Sequence, residues 1–79
     1  MNTHMQNEQN ELEQNISELV AIKNEYIDDL SILYYDLDNA ISEYEHDALN
    51  NNILSIKSYI DELDNQILYY QNMIDKIKS

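Results

Sequence analysis

Two short stretches carry residue types that could do chemistry, and both are built on carboxylates. Glu43-Tyr44-Glu45-His46 contains Glu-x-x-His, a spacing that sets a carboxylate and an imidazole on one helical face and forms half of a di-iron site in helical bundles. Asp36-Leu37-Asp38-Asn39 has the alternating oxygens that open a calcium loop, but not its central glycine. Cysteine is absent, which excludes thiolate nucleophiles, thiolate metal ligands and disulfides. No serine has both a histidine base and an orienting acid. Glycine and proline are also absent, so phosphate-cradling loops and tight hairpin turns have nothing to be built from. No catalytic residue, metal or cofactor is predicted, and the chain reads as a non-enzymatic protein.

The elements that would position these groups are helices. From Leu12, alternating steps of four and three give Leu12, Ile16, Leu19, Lys23, Tyr26, Leu30, Leu33, Leu37, Ala40 and Tyr44, with Lys23 alone breaking the apolar rule. The adjacent e positions Val20, Ile27, Tyr34 and Ile41 widen the stripe beyond a two-stranded seam. A second run, Leu49, Ile53, Ile56, Ile60, Leu63, Ile67, Tyr70, Ile74 and Ile77, has no exception. The phases differ by two residues, whereas coiled-coil discontinuities insert three or four, so a break is favoured over a continuous rod. Asn50-Asn51-Asn52 suits a turn, because asparagine tolerates the left-handed conformation.

The prediction is an all-α, coiled-coil-like antiparallel helical hairpin, with helices over 8–46 and 52–78 and a turn over 46–52; a single long helix is the alternative. Residues 1–7 are placed outside this domain as disordered or cloning-derived, because His4-Met5 is the dipeptide encoded by a common cloning site. That turn sets Ile60 near Leu37 and Tyr70 near Tyr26, and brings the two Ile-Leu-Tyr-Tyr clusters, at 32–35 and 67–70, to one height. It also leaves Leu12 and Ile16 as an overhang and Ile32, Tyr59, Leu68 and Tyr69 outside the core. A hairpin of this size buries little apolar surface, so these six residues are expected to form the interface of a homodimer, a four-helix bundle.

The net charge is −12 and unevenly spread. Residues 8–47 hold twelve carboxylates and Lys23 alone; residues 48–79 hold four carboxylates and three lysines. A scaffold helix usually mixes signs to gain i,i+4 pairs of about 0.2–0.5 kcal/mol each. Asp29, Asp36 and Glu43 would form one row a heptad apart, roughly 10 Å between neighbours, and Asp38 with Glu45 a second. With Glu25, Asp28, Tyr35 and Asp47 they form a candidate surface for a basic protein. A charge run can also be no more than a solvated, solubilising face, which leaves a structural adaptor as the alternative function. The same field opposes direct binding to nucleic acid or anionic membrane. No apolar run approaches the roughly 20 residues of a membrane span. With no charged-then-apolar leader, a cytoplasmic protein is expected.

Two resemblances can be stated. In composition the chain looks like the acidic DNA-mimic inhibitors of phages and mobile elements, which implies an inhibitor or sequestering factor for a nucleic-acid-binding protein, although no motif aligns. Glu62-Leu63-Asp64 resembles the end of the Ser-Gln-Glu-Leu-Asp signature of small hairpin phosphatases acting on sporulation response regulators. Ile60 stands where that signature has serine and Asp61 where it has glutamine, so the reactive part of the pattern is missing.

Overall fold

Each apolar run becomes one helix. The computed structural model describes residues 3–79, in which α1 spans Thr3–Asp38 and α2 spans Glu43–Lys78, packed antiparallel in a rod of 63 × 14 × 12 Å. The hairpin expectation holds, and among the described residues there is no strand. Every member of the first run from Leu12 to Ala40, and every member of the second, is buried or half-buried. Lys23 sits half-buried in the seam and reaches Asp64 across the helix pair at 2.6 Å. Beside it Tyr26 stacks on Tyr59 with ring centroids 5.6 Å apart.

The turn lies elsewhere than expected. It is Asn39-Ala40-Ile41-Ser42, and the asparagine triplet is inside α2. Ser42 is the N-cap: its backbone is extended (φ −127°, ψ 152°) and its hydroxyl accepts from Glu45 N–H at 3.1 Å. The Glu45 carboxylate reaches back to accept from Ile41 N–H at 3.4 Å. Ser42-x-x-Glu45 thus works as a variant of the capping box, satisfying two N–H groups that would otherwise lack a partner. On the other side, Asn39 and Ala40 N–H close three-residue bonds to Asp36 and Leu37 carbonyls, and Asn39 Nδ2 donates to Tyr35 O at 2.8 Å. No described residue has a positive φ, so this turn needs neither glycine nor left-handed asparagine.

Asparagines inside a helix cost up to about 0.7 kcal/mol each relative to alanine. Burial of Ile53, 4% exposed, in the same stretch offsets that cost, and Asn50 gains a contact to His46 Nδ1 at 3.1 Å.

An earlier turn shifts the opposing residues by twice the displacement. Tyr26 therefore faces Tyr59 and not Tyr70, and the Ile60–Leu37 pairing is lost as well. The Ile-Leu-Tyr-Tyr clusters end about 25 Å apart along the axis, at roughly 1.5 Å per residue. The repeat that does meet is the pair YIDDL and YIDEL, through their leading tyrosines. The helices are also equal, 36 residues each, and the overhang expected at Leu12 and Ile16 is absent. Leu12 is 6% exposed within the single chain and level with Ile74, at 7%; Ile16 is half-buried. Thr3–Asn7, placed outside the domain above, continue α1; residues 1 and 2 lie outside the described residues.

Candidate functional site

The short turn gathers acids that the sequence spaces along one helix. Asp36 and Asp38 close α1, and Glu43, Glu45 and Asp47 open α2, so five carboxylates surround one end of the rod. The expected row Asp29–Asp36–Glu43 is broken, because Glu43 belongs to the other helix; the same holds for Asp38 and Glu45. No lysine or arginine lies between Lys23 and Lys57, and Lys57 Nζ sits 5.6 Å from the Tyr34 ring centroid, farther along the rod. Acids in the first turn of α2 meet the positive end of the helix dipole; Asp36 and Asp38 meet the negative end of α1, which has no basic residue in its last turn.

Apolar side chains share this end. Ile41 is 93% exposed and Tyr44 84%, although the first run places Tyr44 in the seam. Tyr35, 70% exposed, lies one turn back on α1. Tyr44 borders an open groove of about 450 Å³ with Asp36, Asn39, Glu45 and Leu49. Ile41 and Tyr44 are the surface residues that the sequence reading missed. The signal for them was the Ser42-x-x-Glu45 pattern, which starts α2 at Glu43 and throws the preceding heptad positions out of register.

The remaining predicted partner-binding residues, Glu25, Asp28 and Asp29, are exposed along the middle of α1, away from the turn. Asp29 lines a second groove of about 500 Å³ with Ile32, Leu33, Ile56 and Tyr59. Of the expected dimer residues, Ile32 and Tyr59 thus share a surface. Leu68 does not join them, since its heptad position puts it on the opposite flank, the one on which Lys57 meets Tyr34. Tyr69 is exposed and packs edge-on to Tyr70, centroids 5.8 Å apart. Leu12 and Ile16 are taken up by the hairpin itself.

Glu43 and His46 are exposed, and no group of three or more potential metal ligands occurs among the described residues. Asp64, the last residue of the phosphatase-like triplet, is engaged by Lys23, and Glu62 is exposed. No described helix is long and apolar enough to cross a membrane. The chain matches no protein-family model, no curated protein and no solved structure.

Proposed function

We propose that this chain is a non-enzymatic binding module, acting in the cytoplasm, whose acidic turn end engages a basic partner protein. On this reading it inhibits or sequesters that partner, in the manner of a nucleic-acid mimic from a phage or mobile element. The observation that carries the proposal is the placing of Ile41 and Tyr44, almost fully exposed, inside a ring of Asp36, Asp38, Glu43, Glu45 and Asp47. Solubility alone would favour the carboxylates and disfavour the apolar pair. An apolar contact rimmed by one sign of charge is how interfaces combine anchoring with steering. Tyrosine suits the anchor role, with large area at low entropic cost.

A second reading, a structural adaptor that self-associates into a four-helix bundle, is favoured by a different observation. Only Leu12, Ile53 and Ile74 count as buried apolar residues among those described, and no side chain is wholly enclosed. The two readings are compatible in one protein. They separate experimentally through Asp36→Lys, Glu43→Lys and Glu45→Lys combined. Immobilised wild-type chain should retain a basic protein from bacterial lysate at 50 mM salt and release it by 500 mM, and the triple variant should retain none. Equal retention by the folded variant would refute the turn-end reading.

A further inference from the structure

We infer that a second copy of this chain docks antiparallel on one flank of α1, about a two-fold axis beside Ile27. This rests on the self-association proposed above and adds the face, the direction and a functional consequence.

The two flanks of the hairpin are unlike. On one, Tyr26 meets Tyr59, and the α1 residues outside the seam are Glu18, Ile22, Glu25, Asp29, Ile32 and Asp36. On the other, Lys57 meets Tyr34, and α1 shows Ser17, Val20, Asn24, Ile27, Ser31 and Tyr34. These six repeat at the alternating three- and four-residue spacing of a seam, a second one beside the buried first, and none carries charge. Val20, Ile27 and Tyr34 remain 39–42% exposed, which is high for residues that border a core. Two chains of charge −12 repel wherever carboxylates face each other, and on α1 this flank is free of them from Ile16 to Tyr35.

The pattern is also its own complement when reversed. With the axis at Ile27, that side chain meets its symmetry mate, Val20 meets Tyr34 of the second copy, and Asn24 comes within one residue's rise, about 1.5 Å, of Ser31. Small opposes large, and amide opposes hydroxyl. A parallel pairing would instead set tyrosine on tyrosine and valine on valine, and would crowd both acidic turns together. A compact monomer of 9.4 kDa exposes about 5,000 Å² by size scaling, whereas this chain, a rod of 63 × 14 × 12 Å, exposes 6017 Å², so a single hairpin leaves more of its surface uncovered than a globular chain of its mass.

The consequence concerns the acidic turns. Each lies fourteen residues from the axis, in opposite directions, so the dimer presents two of them about 40 Å apart at roughly 1.5 Å per residue. Such a dimer is bivalent, able to bridge two basic partners or two sites on one.

With no native cysteine, single-cysteine variants of the full chain test the geometry cleanly. Helicity is checked by circular dichroism and mass by light scattering before mild oxidation. Ile27→Cys should convert to a covalent dimer. Val20→Cys and Tyr34→Cys should each stay monomeric on a denaturing gel, and an equimolar mixture of the two should cross-link. A well-folded monomer at micromolar concentration would overturn self-association itself. A dimer that cross-links through Tyr69→Cys or Ile32→Cys but not through Ile27→Cys would overturn the face and leave the dimer standing. Self-linking of Val20→Cys and Tyr34→Cys as fast as Ile27→Cys would overturn the direction.

Discussion

At the open end of the hairpin Leu12 and Ile74 are both under a tenth exposed, and the four carboxylates within three turns of the ends (Glu8, Glu11, Glu13 and Asp75) share that end with Lys76 and Lys78. At the turn end five carboxylates have no lysine or arginine among them, and Ile41 and Tyr44 stand in solvent. The same chain thus solves the packing problem at one end and leaves it unsolved at the other. The loose end is the one closed by a tight turn, residues 39–42, with a well-formed cap, so poor local structure does not account for it. Apolar exposure where the backbone is well satisfied points to contact with something else, and packing where the chain ends points to stability.

The largest way to sharpen that contrast is to remove side chains from each region. Ile53→Ala takes volume from the best-covered part of the seam and should cost about 2–4 kcal/mol, within the range for large-to-small core changes. For a chain of this size that is most of the folding free energy, and urea titration followed by circular dichroism should find the variant largely unfolded. Ile41→Ala, at 93% exposure, should leave the midpoint within error and act only on partner capture. If Ile41→Ala destabilises the protein as much as Ile53→Ala does, the turn end is a packed region after all and the contrast fails.

The seam was legible because burial is periodic and the 3.5-residue spacing reports it directly; Leu12 through Leu37 and Leu49 through Ile77 are covered in the structure as their spacing requires. The turn was not, and the reason is local. Ala40 and Tyr44 continue the first register by residue type alone, so the apolar pattern runs past the true end of α1 without a visible fault. Three asparagines then offer a more obvious break than a single serine. Capping is worth more than that composition suggests, since it supplies hydrogen bonds where four N–H groups have none. Displacing the turn moved every cross-helix pairing, which is why acids predicted as a row along α1 became a ring around one end. Heptad pattern identifies which residues face inward, but cap chemistry sets which of them meet.

Ser42→Ala tests that explanation with a smaller effect. Loss of an N-cap hydroxyl typically costs about 1 kcal/mol. The melting curve should shift accordingly, with no change in helix content at low temperature. Ser42→Asp should retain the cap and recover the loss. A variant whose α2 amide protection begins near Asn52, and not near Glu43, would show that the triplet takes over as the turn once the cap is gone.

The smallest expected effect belongs to the one oppositely charged pair that crosses the seam among the described residues. Lys23 and Asp64 are partly exposed, with side chains 30% and 47% accessible, and such pairs contribute about 0–1 kcal/mol because water and salt screen them. Asp64→Asn should therefore leave the urea midpoint almost unchanged. What the pair would add to the turn is a check on alignment. A lysine at a single seam position selects the register in which a carboxylate can reach it, at some cost in packing. Replacing Lys23 with leucine should raise the midpoint while loosening that selection, because the apolar seam alone tolerates a slip of one heptad. The measurement is the spin-label distance between Glu18 and Asn65, exposed positions on the two helices beside the pair on its open-end side. A single sharp distance in wild type that broadens or splits in Lys23→Leu would assign register to the ion pair. An unchanged distribution would assign it to the Tyr26–Tyr59 stack and to the turn.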